Sequence, residues 1–181
     1  MIRFLIFSIF FSFCTSKEYK AVDKLDLKSY TGKWLQVYEN KFDMLFLGKS
    51  KCASANYNLI NSNNVSVYNE QISLNNELES ISGYAYYKNN DTGGYLTVRL
   101  DGQMEAPYWV IELGPKVDNL YDYAIVSDNL KMSLFVLVRD VKRFYKDYDI
   151  DVLKSLSEFG FTNIYNKPIR MSQMNCNIKL N

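Results

Sequence analysis

Short segments in which polar and apolar residues alternate fill the chain between residues 34 and 139. In one of them, Ala53, Ala55 and Tyr57 alternate with small polar residues, as in a strand with one polar and one apolar face. Turn-forming residues separate eight such segments, at 34–39, 52–60, 65–71, 78–88, 95–100, 108–113, 121–127 and 132–139. Evenly spaced short strands favour an antiparallel sandwich or barrel, and a closed barrel leaves no exposed strand edge. The sequence therefore predicts an all-β fold, preferably an eight-stranded up-and-down barrel.

The periodicity changes beyond residue 140. Apolar residues at 150, 153, 156 and 159 lie three apart, Asp149 precedes them as an N-cap, and Gly160 follows as a natural stop. We expect an amphipathic helix over residues 150–159 that packs on the outside of the barrel, and then a short strand at 169–171. No linker or repeat interrupts the sequence, so residues 17–181 are predicted to form a single domain.

The composition excludes several classes of function. Histidine is absent from the 181 residues, which removes Ser-His-Asp and Cys-His catalysis and the commonest metal ligand. A net charge of +1 does not provide the excess of positive charge that is typical of nucleic-acid-binding proteins. We therefore predict no catalytic residues, no metal, no cofactor and no nucleic-acid partner.

Residues 1–16 have the pattern of a secretory signal peptide. Arg3 supplies a positive charge, residues 4–13 form a short apolar run, and Cys14 and Ser16 are small residues before a cut preceding Lys17. An uncleaved anchor, or a lipoprotein acylated at Cys14, is the alternative. The preferred prediction is a mature, secreted chain of residues 17–181.

Two cysteines, Cys52 and Cys176, remain after such a cut. A pair of cysteines in a secreted chain suggests one disulfide, and two free thiols are the alternative. The sequons at Asn64 and Asn90 are candidate glycosylation sites if the secretory route performs that modification.

The segment 26–34, Asp-Leu-Lys-Ser-Tyr-Thr-Gly-Lys-Trp, resembles the first signature motif of the lipocalin family. In that family the glycine turns the chain into the first strand, and an arginine from the last barrel strand stacks on the tryptophan. Gly32, Trp34 and Arg139 match these positions and are expected to be structural. Residues 121–126 resemble the middle motif, although residues 114–120 look like a small insertion in place of its short turn.

Other segments resemble the apolipoprotein D and bacterial branch of the lipocalins. They are residues 52–57, residues 106–109 and the final Asn175-Cys176. The resemblance implies a calyx of eight strands with one C-terminal helix outside, and a disulfide from the second strand to the C-terminal segment. It also implies a ligand cavity, for which Trp109 and then Phe135 are the strongest candidate contacts, because their counterparts lie in the pocket.

Alternation along the strands extends this candidate cavity lining. None of its members is charged, and packed core is the alternative role for each. The predicted ligand-binding residues are Tyr57, Val67, Asn69, Leu96, Val98, Trp109, Ile111, Val126, Phe135 and Leu137.

An apolar segment, residues 42–47, falls between the first two strands, where the resemblance places a loop across the open end of the barrel. A lid over the cavity, a membrane or lipoprotein contact, and a subunit interface are all consistent with it. Its apolar members are Phe42, Met44, Leu45, Phe46 and Leu47.

These observations favour a secreted protein that binds and carries or sequesters a small lipophilic ligand. Fatty acid, lysolipid, steroid, retinoid and tetrapyrrole are the candidates. The first alternative is an interaction protein that acts through residues 42–47, by membrane contact or as a homo-oligomer. The second is an isomerase or de-epoxidase on the same fold, which the uncharged lining disfavours.

Overall fold

A computed structural model describes residues 17–46, 48–88 and 92–176. The signal peptide prediction, Leu47 and the sequon at Asn90 lie outside these residues. The helices are α1 (Leu27–Tyr30), α2 (Lys41–Phe46), α3 (Val141–Asp147) and α4 (Asp149–Glu158). The strands are β1 (Gly32–Glu39), β2 (Ser50–Asn61), β3 (Asn64–Ser73), β4 (Leu78–Tyr86), β5 (Tyr95–Leu100), β6 (Ala106–Leu113), β7 (Lys116–Val117), β8 (Leu120–Tyr121), β9 (Tyr123–Ser127), β10 (Leu134–Val138) and β11 (Ile169–Arg170).

Eight antiparallel strands form a closed barrel, as the sequence predicts. The order around the sheet is β10-β9-β6-β5-β4-β3-β2-β1, with β11 beyond β1. Pairing of β10 with β1, which sets Leu35 opposite Val138 and Gln36 opposite Leu137, closes the ring. Closure leaves no free edge for the barrel strands, so their main-chain groups are satisfied within the sheet.

Two buried apolar clusters lie on opposite sides of the barrel wall. Alternate residues of β10 divide between them: Leu137 lies in the inner cluster, and Val136 and Val138 lie in the outer one. The outer cluster includes Phe144 of α3 and Val152 of α4. The helices therefore cover the outer face of this part of the wall, which is apolar on both sides.

Helix α4 confirms the predicted outer helix to within one residue at each end. The N-cap is Tyr148, and the predicted cap Asp149 lies in the first turn. The Asp149 carboxylate instead accepts hydrogen bonds from the Tyr38 hydroxyl (2.7 Å) and from Arg170 (2.8 Å). Helix α3 was not predicted. Asp140 caps it by accepting a bond of 2.9 Å from the Arg143 amide.

The segment expected to be a small insertion forms the tight hairpin of β7 and β8. Its two turn residues, Asp118 (φ 51°) and Asn119 (φ 65°), are both in the left-handed region. A two-residue turn with positive φ at both positions matches the twist of the strands, and Asp and Asn tolerate it. The inserted residues therefore include the residue types that this tight turn requires.

Arg139 and Trp34 close one end of the barrel. The Arg139 guanidinium lies 3.5 Å from the centroid of the Trp34 ring, and Trp34 is fully buried. The same guanidinium donates to the carbonyls of Lys33 (2.7 Å), Thr31 (2.7 Å) and Tyr121 (3.2 Å). Burial lowers the pKa of Arg139 to about 10, so the group remains a cation at neutral pH. We call this closed end of the barrel the floor.

Gly32 is required at the floor because the chain turns there into β1. Its φ is +91°, and an added Cβ would lie 3.3 Å from Nη1 of Arg139. The structural roles predicted for Gly32, Trp34 and Arg139 agree with these contacts.

A disulfide joins Cys52 at the start of β2 to Cys176, with a Cα–Cα distance of 5.5 Å. The predicted pairing is thus present, and it spans 124 residues of sequence. It fastens the C-terminal segment to the outside of the barrel, where Gln173 also donates to the carbonyls of Gln36 and Ala53, both at 2.8 Å.

We predict that Arg139→Lys lowers the free energy of unfolding by about 2–4 kcal/mol. An ammonium cannot stack on Trp34 and reach three carbonyls together, as the planar guanidinium does. Urea denaturation measures the change, with Arg99→Lys on the exposed outer wall as the matched control. Equal stability of the two variants would contradict this role for Arg139.

We also predict that Cys176→Ser lowers the free energy of unfolding by about 4 kcal/mol, because the unfolded chain loses a long covalent loop. Denaturation with and without reductant measures it. Reductant should destabilise the native sequence to the level of the variant and leave the variant unchanged. A native chain that is indifferent to reductant would refute the expectation.

Candidate functional site

A cavity of about 560 Å³ occupies the barrel between the floor and the opposite, open end. Apolar side chains from strands all around the barrel form its walls, among them Val67, Val98, Val126 and Leu137. This volume lies within the range of pockets that hold one small ligand. The barrel is therefore a cup with one closed end and is not filled by its own side chains.

Three tyrosine hydroxyls meet near the floor. The Tyr108 hydroxyl is 2.7 Å from that of Tyr30 and 2.9 Å from that of Tyr57, and Tyr57 and Tyr108 also line the cavity. Burial raises the pKa of Tyr57 to about 12 and those of Tyr30 and Tyr108 well above the usual value. The cluster is thus neutral and supplies hydroxyl groups, but no charge, at the deep end of the cavity.

Asn69 is a polar group midway along the wall, opposite Ala55 on β2 and Ile81 on β4. Its Oδ1 atom is buried and has no hydrogen-bond partner among the described residues. Buried acceptor atoms in proteins normally have a hydrogen-bond donor, so Oδ1 of Asn69 is available to a donor group of a ligand.

Helix α2 is attached to the open end by a polar network around Asp43. The Asp43 carboxylate accepts from the amides of Asn40 (3.1 Å) and Leu134 (2.9 Å). The Asn40 side chain in turn accepts from the Asp43 amide (2.9 Å) and donates to the Met132 carbonyl (3.0 Å). These bonds fix the first turn of α2 against the loop between β9 and β10.

Two buried acids at this end have raised pKa values. Burial raises the pKa of Asp43 to about 7, although the amides of Leu134 and Asn40 oppose the rise. Burial also raises the pKa of Glu39 to about 7, with a further contribution from the negative charge of Asp43. Both groups therefore change charge near neutral pH.

The apolar segment 42–47 is mainly helical and not a loop, since α2 occupies most of it. Phe42 stacks on Tyr165 with ring centroids 5.5 Å apart, and Leu45 is 64% exposed. Met44 is half-buried. Among the α2 residues whose side chains are described, Asp43 lines the cavity and Phe42, Met44 and Leu45 do not. Whether α2 is a lid or an interface stays a prediction.

Seven of the ten predicted ligand-binding residues line the cavity, and their contact with a ligand stays a prediction. Leu96 belongs to the inner cluster, beside Tyr108 and outside the cavity lining. The seven are Tyr57, Val67, Asn69, Val98, Val126, Phe135 and Leu137.

The predicted inward orientation of Trp109 and Ile111 is wrong. Trp109 packs on the outer wall against Tyr95 (4.8 Å between ring centroids) and borders an outer groove of about 300 Å³, and Ile111 lies in the outer cluster. Tyr108 and Val110 occupy the inner face instead. Residues 108–111 are all apolar, so polarity does not reveal the face, and a shift of one residue exchanges the two.

The expectation of an uncharged lining is also wrong, because four acidic residues border the cavity at its open end. The sequence reasoning missed them because it considered the strand centres and not the strand ends and turns around the mouth. The inward alternation of β4 from Gly83 through Ile81 leads to one of them, Glu79. The four are Asp43, Glu70, Glu79 and Asp128.

Among the described residues, no three His, Cys, Asp or Glu side chains are grouped so that they could hold a metal ion. In the same part of the chain, none of the helices has the length and apolar character needed to cross a membrane.

Comparison with known proteins gives the family. Residues 25–162 match the family model of a lipocalin-like domain. The outer membrane lipoprotein Blc of Vibrio cholerae is 33% identical over 145 residues, which cover 78% of this chain and 80% of that protein. Apolipoprotein D of Rattus norvegicus is 30% identical over 90 residues, which cover 49% of this chain and 46% of that protein.

A solved structure agrees with the fold: lobster apocrustacyanin A1 has a TM-score of 0.57 at 19% identity, over 81% of this chain and 78% of that one. The chain belongs to the lipocalin family, whose members bind and transport small hydrophobic molecules. The resemblance to its apolipoprotein D and bacterial branch is confirmed.

We predict that Glu39→Gln reduces the decline in the free energy of unfolding as the pH rises. The folded-state pKa of about 7 lies above the usual value, so the folded protein binds more protons than the unfolded chain at mildly acidic pH. Stability from this group is therefore complete below about pH 4 and is lost as the pH rises through about 7.

Urea denaturation across this pH range tests the prediction, with Glu158→Gln on α4 as the control. Relative to the native chain, Glu39→Gln should gain about 1–2 kcal/mol between the acidic and the alkaline end, and the control should not. A difference between variant and native chain that is constant with pH would contradict it.

Proposed function

We propose that this lipocalin binds and carries or sequesters a small lipophilic molecule inside the barrel. The observation that carries the proposal is the cavity of about 560 Å³, open at one end and walled mainly by apolar side chains. Burying apolar ligand surface there is favourable by about 25 cal/mol per Å², before the loss of ligand freedom is subtracted. The family supports the same conclusion.

The polar groups give the bound molecule an orientation. Hydroxyls of Tyr57 and Tyr108 stand at the deep end, and Asn69 stands midway. A few polar anchors in an otherwise apolar pocket are the usual basis of ligand selectivity. Our proposed contacts are the seven predicted residues that line the cavity, together with Tyr108.

Secretion is part of the proposal. The pattern of residues 1–16 and the disulfide between Cys52 and Cys176 support it, since disulfides persist mainly in oxidising compartments. Membrane or lipoprotein contact through α2, and assembly into homo-oligomers, stay predictions. The exposed Leu45 side chain is the observation that favours them.

Absence of enzyme activity also stays a prediction. Two of the four carboxylates at the mouth are engaged by main-chain amides: Asp43 accepts from Leu134 (2.9 Å), and Asp128 accepts from Leu130 and Ser133 (2.6 Å each). These bonds give both residues a structural role, which favours binding over catalysis.

We predict that Val98→Trp weakens binding of an uncharged lipophile at least ~10-fold, because the larger side chain occupies the cavity. Displacement of the dye N-phenylnaphthylamine reports the affinity. Intrinsic fluorescence is a poor reporter, since Trp34 lies in the floor and Trp109 lies on the outer wall.

The matched control is Arg99→Trp, one residue further along β5 on the exposed outer face. It should bind the dye as the native chain does, and circular dichroism should show both variants folded. If Val98→Trp binds normally, the ligand lies outside the barrel, and α2 becomes the region to test.

A further inference from the structure

The charged groups around the mouth of the cavity all have the same sign. Within residues 17–46, 48–88 and 92–176, the lining contains four carboxylates and no lysine or arginine. None of the four is ion-paired to a described residue, whereas Asp149 on the outside of the barrel pairs with Arg170 (2.8 Å). The mouth therefore carries negative charge without a neighbouring counter-ion.

Two lysines near the mouth, Lys51 and Lys131, make contacts outside the cavity. Nζ of Lys51 donates to Oδ1 of Asn76 at 2.9 Å. Nζ of Lys131 lies 4.4 Å from the centroid of the Tyr19 ring, which packs with the outer cluster. Neither lysine lines the cavity, so neither offers an anionic head group a partner inside it.

The four carboxylates fall into two pairs. Asp43 and Asp128 are fixed in position by hydrogen bonds from main-chain amides. Glu70 and Glu79 lie on the neighbouring strands β3 and β4, where Glu79 accepts one bond of 2.8 Å from Gln71. Their spare oxygen lone pairs leave them able to accept hydrogen bonds from a ligand.

The side chain of Asn69 indicates independently that the ligand carries a hydrogen-bond donor. Its buried Oδ1 has no donor among the described residues, and it lies one inward position deeper than the Gln71–Glu79 pair on the same two strands. A ligand that satisfies this atom must bring an N–H or O–H group. A carboxylate head group brings neither and would also meet the negative mouth.

We propose that the cavity selects a cationic amphiphile, namely a protonated amine with an apolar body. The apolar body occupies the barrel, and the ammonium group lies near the mouth, between Asn69 and the carboxylate of Glu79, with the acidic residue Glu70 on the same rim. This inference rests on the proposed function, because it assumes that the barrel cavity is the binding site. It disfavours fatty acids and tetrapyrroles that carry carboxylates.

Three amphiphiles with the same chain and different head groups test the proposal: dodecylamine, dodecanol and dodecanoate. Each displaces N-phenylnaphthylamine from the native, oxidised protein at neutral pH, below its micelle concentration. We expect the amine to bind at least ~10-fold more tightly than dodecanoate, with dodecanol between them. Added salt should weaken binding of the amine and leave dodecanol unchanged.

The double substitution Glu70→Gln and Glu79→Gln tests the assigned residues. It should weaken the amine ~5- to 10-fold and change dodecanol less than ~2-fold. Asp43 and Asp128 stay intact because they hold the mouth together. Glu158→Gln on the outer helix, which also removes negative charge, should bind all three compounds as the native chain does.

Equal binding of the three amphiphiles, or tighter binding of dodecanoate, would overturn the cationic preference and leave the proposed function standing. A preference for the amine that survives the double substitution would overturn the assignment to Glu70 and Glu79. Failure of the dye and all three amphiphiles to bind would overturn the proposed function itself.

Discussion

The contact between Arg139 and Trp34 closes one end of the barrel and so determines at which end the cavity can open. The Arg139 guanidinium lies over the Trp34 indole and also donates to main-chain carbonyls of β1 and β8. It therefore joins the beginning and the end of the barrel sequence at one point. Because the floor is closed there, the cavity can open only at the other end. Every charged lining residue is found at that end.

The fold was predictable because its main signals are local or tied to a recognisable motif. In β2, small and aromatic residues alternate with polar ones, and Ala53, Ala55 and Tyr57 face the cavity side of the wall as that alternation indicates. Gly32 and Arg139 mark the two ends of the barrel sequence. The outer helix, predicted at 150–159 and observed at Asp149–Glu158, follows from its apolar spacing and from the stop at Gly160. Each of these predictions uses residues whose neighbours differ from them in polarity or in conformational freedom.

The errors occur where that contrast is missing. The middle of β6 is apolar on both faces because its outer face is itself covered, with Trp109 against Tyr95 and Ile111 in the outer cluster. Alternation cannot choose a face in such a strand. Helix α2 escaped prediction for a different reason: the reciprocal bonds of Asn40 and Asp43 that begin it also depend on Leu134 and Met132, which are distant in sequence.

The acidic residues at the mouth lack the cationic partners that some acids elsewhere in the described structure have. Two acids away from the mouth have cationic partners: Lys116 pairs with Asp26, and Arg143 pairs with Asp122. At the mouth, Glu39 and Asp43 are buried close together, and burial raises both pKa values to about 7. Like charges held without counter-ions oppose folding, and natural chains tolerate such local conflicts chiefly at sites of function. A cation bound at the mouth would add positive charge beside Glu70 and Glu79, where the lining formed by the described residues has none.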